Sequence, residues 1–221
     1  MGQSLDGIVR STFRRTIEFM PGKLRRAPLA SWNESVFRYF FCGHLPGVDE
    51  GVQPFVECDR IDLVLHGGDE KAFVEFKFYV HPRRYDPYTG DSSGFKGGPG
   101  LQNLHEFQRC VQQLHDRRSV PGLSKYIVLA YADPLSGSTP GKRYSDYYDD
   151  YRHPDERVAL DLHGSAAPIE TDEEVIRAKL FTVGTSAVGI AAGAQLEQAR
   201  AIPAGGLRAD PANSATTAEL G

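Results

Sequence analysis

The amino-acid sequence predicts a mixed α/β fold in which a central sheet is flanked by helices. Two segments with period-two alternation of apolar residues, 54–65 and 72–80, surround a Gly-Gly turn and predict a β-hairpin. Residues 101–117 carry an apolar stripe at helical spacing. Residues 125–132 are almost wholly apolar, as expected for a buried central strand. This mixture of strand and helix patterns is typical of an α/β domain.

Length and composition favour one soluble domain. The 221 residues can bury a substantial core, and hydrophobic residues make up 40% of the chain. The net charge of −4 does not supply the strong basic field of a nonspecific nucleic-acid-binding protein. Three cysteines without CxxC spacing fit reduced thiols better than a disulfide framework or a zinc site. Since no stretch approaches the roughly 18 apolar residues of a membrane span, we expect a cytoplasmic protein that does not engage a membrane.

Three parts of the chain differ in character. Residues 1–28 form a basic N-terminal segment, in which arginine and lysine outnumber the acids. Residues 29–202 contain the strand and helix patterns and form the predicted domain. Residues 203–221 offer almost no apolar surface to bury, so we expect a disordered C-terminal tail.

The first half of the predicted domain holds its most informative polar residues. Residues 29–45 read as a helix that begins at Ser31 or Asn33 and carries Glu34 at the edge of its apolar side. The strand at 54–65 carries Asp62. On the next strand, Glu75 and Lys77 lie two residues apart and therefore share one face.

The second half is less regular. Residues 81–100 are rich in glycine and proline and predict a loop over the site, and residues 133–164 predict a long loop with a tyrosine cluster. A short helix near residues 170–178 and a strand near 179–184 follow. An alanine-rich run to residue 202 reads as a final helix.

The order of these elements resembles the PD-(D/E)XK nucleases. The residues that carry the resemblance are Asp62 on one strand and Glu75-Phe76-Lys77 on the next, with Glu34 in the preceding helix and Gln102 opening the following one. The resemblance covers residues 31–132, and Ile61 stands where the family has its proline. It implies a restriction-endonuclease-like fold and a metal-dependent nuclease that cuts phosphodiester bonds, with DNA as the expected substrate.

The chemistry of that reaction matches the residue types. Hydrolysis of a phosphodiester needs a cation, and Mg²⁺ prefers a few carboxylates with retained waters. We expect Asp62 and Glu75 to hold Mg²⁺, or Mn²⁺ in its place, and Lys77 to orient the attacking water. Glu34 would bind a second ion or a metal-bound water. The resemblance also implies a role for Gln102 beside the site.

Several alternatives stay open on the sequence alone. Arg83, Arg84 and Lys96 are candidates for phosphate contacts, although loop solubility explains them equally well. The tyrosines fit either base stacking or the anchoring of a loop. The fold would also suit a catalytically silent binding or regulatory module, or a subunit that depends on a partner for DNA binding. A homodimer or a larger nuclease or defence complex is compatible with the sequence.

Overall fold

A computed structural model describes residues 3–24, 29, 32–48, 51–81, 83–85, 88–89, 92–95, 99–135, 142–171 and 174–186. For residues 83–85 and 92–95 the description covers the backbone. The predicted final helix to residue 202 and the predicted tail at 203–221 lie outside the described residues.

The described strands form one mixed sheet and one small hairpin. In chain order they are β1 (Gln53–Cys58), β2 (Ile61–Gly67), β3 (Glu70–Tyr79), β4 (Arg83–Tyr85), β5 (Ser92–Phe95), β6 (Leu123–Pro134), β7 (Val158–Ser165), β8 (Ile169–Glu170) and β9 (Glu174–Thr185). The seven-stranded sheet has the order β1-β2-β3-β6-β9-β7, and β8 also pairs with β9. β3 and β6 are parallel, whereas the other pairs in the sheet are antiparallel. β4 and β5 form the separate hairpin.

Helices cover both faces of the sheet, which confirms the predicted mixed α/β class. The described helices are α1 (Leu5–Leu24), α2 (Glu34–Cys42), α3 (Leu101–Asp116) and α4 (Ser145–Tyr148). α1 and α2 pack on one face and share a hydrophobic cluster with β2, β3, β6 and β9. α3 and α4 pack on the opposite face. Among these helices, none has the length and apolar character needed to cross a membrane.

Helix α1 lies within the basic N-terminal segment and contributes to the core. Its buried side chains recur every three or four residues, so they line one side of the helix. They are Leu5, Ile8, Val9, Thr12, Phe13, Thr16, Ile17 and Met20. Arg14 and Arg15 are exposed. The basic character of this segment therefore belongs to the outer face of a helix whose inner face is apolar.

The tyrosine cluster anchors the segment around α4 to the sheet. Tyr148 is buried and stacks on Tyr79 of β3, with ring centroids 5.3 Å apart. The backbone amides of Tyr144 and Ser145 donate to the buried carboxylate of Asp133 at 2.6 and 3.0 Å. These contacts are typical of tyrosines that anchor a loop to its own domain.

Four local predictions from the sequence are confirmed. Asn33 caps α2, because its side chain accepts a hydrogen bond from the amide of Val36 at 2.9 Å. β2 and β3 form the expected hairpin around Gly68, which has a φ of +59°. α3 matches the predicted helix, and β6 contains the predicted central strand.

The expected single strand at 54–65 is wrong. The chain reverses at Asp59 and Arg60, so that β1 and β2 pair with each other through a two-residue turn. Both turn residues have positive φ, +51° and +64°, which is the geometry of a tight type I′ hairpin. Neither is glycine, and the turn was missed for that reason.

Two expectations about the C-terminal half are also wrong. The helix near 170–178 does not form, because residues 174–185 make the single strand β9. Alternate side chains of β9 are buried, and the strand lies between β6 and β7, so tertiary pairing overrides the local helical tendency. The long loop at 133–164 contains α4 and most of β7, an edge strand whose side chains are mainly exposed or half-buried.

Candidate functional site

The centre of the site is a place where the pairing of β2 with β3 stops. The pairs run from Gly67–Glu70 to Leu63–Val74. Asp62 is the adjacent residue of β2, just beyond the last pair. Its side chain, in place of its backbone, bonds to β3: Oδ2 accepts a hydrogen bond from the amide of Phe76 at 2.8 Å. The carboxylate of Asp62 is thereby held against β3.

Arg38 of α2 fixes the other oxygen of Asp62. Its Nη1 donates to Asp62 Oδ1 at 2.7 Å, while its Nη2 donates to Glu57 Oε1 at 2.6 Å. Glu57 lies opposite Asp62 in the β1–β2 hairpin and has a φ of +53°. A non-glycine residue in this region carries backbone strain, which persists where surrounding contacts enforce it. The guanidinium of Arg38 therefore links α2 to Glu57 on β1 and to Asp62 on β2.

Glu75 is half-buried beside Asp62. Burial, together with the negative charge of Asp62, raises the pKa of Glu75 to about 8. The thiol of Cys110 on α3 is 4.0 Å from Glu75 Oε2. Burial and the charge of Glu75 raise the pKa of Cys110 to about 12, so this thiol stays protonated and unreactive. The neighbouring carboxylates of Asp62 and Glu75 repel each other when both are ionised, which favours binding of a proton or a cation between them.

Lys77 is the positive charge of the site. Its Nζ donates to Glu34 Oε2 at 3.0 Å and lies 3.9 Å from Glu106 Oε1. Only 12% of its side chain is exposed. Burial works to lower the pKa of Lys77, but the hydrogen bond to Glu34 and the charges of Glu34 and Asp62 act in the opposite direction. The net effect raises the pKa, so the ammonium stays charged. Burial also raises the pKa of Glu34, against the effect of the Lys77 ion pair.

The donor set of Asp62 and Glu75 fits one hard divalent cation. A carboxylate oxygen has two lone pairs, so each oxygen of Asp62 can accept its present hydrogen bond and still ligate an ion. Mg²⁺ is commonly held by one or two carboxylates, with waters completing the octahedron. Within the described part of the chain, no group of three or more His, Cys, Asp and Glu side chains is arranged to hold a metal. Asp62 and Glu75 are the two carboxylates that could serve in this way.

Glu75 and Lys77 open onto a cleft of about 630 Å³ between the β1–β2 turn and α3. Glu106 and Cys110 of α3 contribute to its wall. Three arginines also line it, Arg60, Arg109 and Arg117. The cleft therefore brings an acidic pair, a lysine and several guanidinium groups into one solvent-accessible space.

The structure brings four of the predicted site residues together: Glu34, Asp62, Glu75 and Lys77. Gln102 is exposed on the first turn of α3, and no described hydrogen bond or ion pair joins it to the other four. Glu106, one turn later on α3, is the residue that approaches Lys77. Asp59 lies in the β1–β2 turn, and its carboxylate pairs with Arg117 at 2.6 Å.

The candidate phosphate contacts Arg83, Arg84 and Lys96 cannot be placed. The side chains of the two arginines, and Lys96 as a whole, lie outside the described residues.

Sequence reasoning missed Arg38, Glu57, Glu106 and the arginines of the cleft. Arg38 could have been found, because it lies four residues after Glu34 and hence on the same side of α2. Glu106 is likewise four residues after Gln102 on α3. No sequence pattern marked Glu57 or Arg60 as a site residue, because both are positioned by the β1–β2 turn, which the sequence did not predict.

Comparison of the chain with protein-family models, with curated proteins and with solved structures finds no match.

Proposed function

We propose that this protein is a Mg²⁺-dependent nuclease with a restriction-endonuclease-like fold, which hydrolyses phosphodiester bonds in DNA. The observation that carries the proposal is the placement of Asp62 on the Phe76 amide, which sets its carboxylate beside Glu75 and near Lys77. The resemblance of the Asp and Glu-x-Lys pattern to PD-(D/E)XK nucleases supports the same reading. A homodimer or a larger nuclease or defence complex remains compatible with this activity.

Each residue has a role that follows from its contacts. Asp62 and Glu75 would hold the cation, and Arg38 orients the carboxylate of Asp62 through its 2.7 Å hydrogen bond. Lys77 carries a fixed positive charge at the cleft and can donate to a phosphate oxygen or to the attacking water. Glu34 accepts a hydrogen bond from the ammonium of Lys77 at 3.0 Å, so its role here is to hold the Lys77 side chain in position. A bound Mg²⁺ supplies charge neutralisation at the phosphate and activates water.

Cleavage of supercoiled plasmid and of single-stranded DNA, with Mg²⁺ or Mn²⁺, tests the proposal. Glu75→Gln and Lys77→Ala are each expected to lower the rate by about 100-fold or more, since each removes a charged group from the reaction centre. Lys71→Ala is the matched control, because Lys71 is exposed on the same strand. Loss of activity in all three variants, or in none, would contradict the assignment.

Binding of Mn²⁺ followed by calorimetry tests the metal site without relying on activity. Asp62→Asn is expected to weaken binding because it removes a charged ligand. Asp161→Asn, which changes an exposed residue on β7, is expected to bind Mn²⁺ like the wild type. Equal binding by both variants would rule out a site at Asp62.

A catalytically silent nucleic-acid-binding module is the second candidate. The observation that favours it is the ion pair of Arg38 with Asp62, which already balances the charge of one expected ligand. This candidate predicts that the wild type binds DNA but leaves it intact with every metal.

A further inference from the structure

The three arginines of the cleft differ in what their guanidinium groups already contact. Arg117 donates to the carboxylate of Asp59 and to its backbone carbonyl, both at 2.6 Å. Arg60 and Arg109 are exposed, and neither makes an ion pair with another described residue. Two guanidinium groups are therefore available to a ligand in the same space as Glu75 and Lys77.

Arg60 occupies a position where the backbone favours glycine. It is the second residue of the type I′ turn, with a φ of +64°, and glycine is the usual residue there. An arginine at this point carries strain and gains no described ion pair within the fold. Arg117 supports the strained turn by binding both the side chain and the carbonyl of Asp59. The turn is thus held so that the Arg60 side chain lines the cleft.

Negative groups also border this space, and their own contacts limit their effect. Glu106 approaches Lys77 at 3.9 Å. Asp116 accepts from Gln112 at 2.9 Å and pairs with His115 at 2.9 Å. In the part of the chain that the structure describes, Arg60 and Arg109 line the cleft without an ion-pair partner.

We propose that Arg60 and Arg109 form a phosphate-binding wall of the cleft. The two guanidinium groups bind phosphates of the DNA backbone next to the phosphodiester bond that is cut at Glu75 and Lys77. Arg117 is a positioning residue that fixes the turn carrying Arg60. This inference rests on the proposed function, because it assumes that the ligand of the cleft is a nucleic acid. Guanidinium groups suit the task, since they bind phosphate oxygens with two parallel hydrogen bonds.

The wall is tested by fluorescence anisotropy with a labelled DNA duplex and the matching single strand, in Ca²⁺ and over a series of salt concentrations. Arg60→Gly and Arg109→Gln are each expected to weaken binding by about five- to tenfold near 0.1 M salt, and to reduce the salt slope by about one. Arg15→Gln is the control, because it removes the same charge from α1 on the opposite face of the sheet.

Arg60→Gly also separates binding from folding. Glycine relieves the positive φ, so the melting temperature is expected to stay unchanged or to rise while affinity falls. A merely structural arginine would not show this combination. Affinity equal to wild type in both cleft variants, or an equal loss in Arg15→Gln, would overturn the wall.

Cleavage by the same samples in Mg²⁺ distinguishes failure of the wall from failure of the nuclease. If the wild type cuts DNA and the cleft variants bind like wild type, the wall is refuted and the nuclease stands. If the variants lose affinity and the wild type never cuts, the wall stands and catalysis is refuted. A wild type that binds neither duplex nor single strand overturns the wall.

Discussion

Arg38 is the residue on which the geometry of the acidic cluster most depends. Its guanidinium bridges Asp62 and Glu57, and the Arg38 and Asp62 side chains are only 11% and 17% exposed. At that burial the pair is poorly screened by water. Removal of one partner leaves a charge that is both desolvated and uncompensated.

Arg38→Gln is therefore expected to lower the free energy of unfolding by about 2–3 kcal/mol in EDTA. Mg²⁺ is expected to restore part of the loss, because a cation at Asp62 would replace the missing charge. Urea unfolding with and without Mg²⁺ measures both effects. Arg15→Gln serves as an exposed control, and a loss that Mg²⁺ does not reduce would argue against an ion at Asp62.

Glu75 makes stability depend on pH in a predictable direction. Burial and the charge of Asp62 raise its pKa from an ordinary value near 4.5 to about 8. Between these two pH values, Glu75 is protonated in the folded state and ionised in the unfolded state. Stability from this group is present below pH 4.5 and is lost as pH rises toward 8.

In EDTA, the unfolding free energy of the wild type is thus expected to fall relative to that of Glu75→Gln as pH rises from about 4.5 to 8. The glutamine variant carries no titrating group at this position. A pKa shift of one unit corresponds to about 1.4 kcal/mol, so the divergence is measurable by urea unfolding at several pH values. Parallel profiles would mean that Glu75 is ionised in the folded protein.

At the scale of elements, one turn sets the start of the parallel pair β3–β6. Gly122 has a φ of +77°, and a Cβ there would lie 2.6 Å from the carbonyl oxygen of Asp69. Its own carbonyl accepts from the amide of Lys71 at 2.8 Å. The turn before β6 is thus packed against the turn before β3, which aligns the strand that carries Glu75.

Gly122→Ala is expected to cost about 2 kcal/mol, because it combines a strained φ with a clash against backbone. Gly22→Ala is the matched control: Gly22 lies in α1 with open space around it, so alanine is expected to be neutral or to stabilise by up to about 1 kcal/mol. Thermal unfolding compares the two. Similar effects at both positions would show that the contact with Asp69 is unimportant.

At the scale of the whole molecule, α1 completes one of the two hydrophobic clusters. Phe13 of α1 is 4% exposed, whereas Phe19 of the same helix is 58% exposed. The helix is bound to the sheet by polar contacts as well, since the amide of Leu5 donates to Glu70 and the hydroxyl of Tyr126 donates to Asp6. The basic segment and the sheet therefore share one core.

Phe13→Ala is accordingly expected to cost about 3–4 kcal/mol, while Phe19→Ala is expected to cost less than about 1 kcal/mol. Urea unfolding distinguishes them. A variant that lacks residues 1–24 would uncover the core and is not expected to fold. Equal stability of the two phenylalanine variants would show that α1 is not part of the cooperative unit.

The sequence by itself determined the features that depend on neighbouring residues. The alternation in β3 placed Glu75 and Lys77 on one side of the strand, Asn33 marked the start of α2, and the Gly-Gly pair marked the β2–β3 turn. These are local effects of side-chain period, capping and positive φ. They led to the mixed α/β class and to the acidic pair with its lysine.

Only the tertiary structure decided which partners those residues meet. Asp62 reaches the Phe76 amide because strand pairing stops there, and Arg38 meets Asp62 because α2 crosses that point. Arg60 lines the cleft through a turn without glycine. The strand β9 forms because it is paired on both sides. Such contacts join residues far apart in the chain, and their energies outweigh the local preferences that a sequence pattern records.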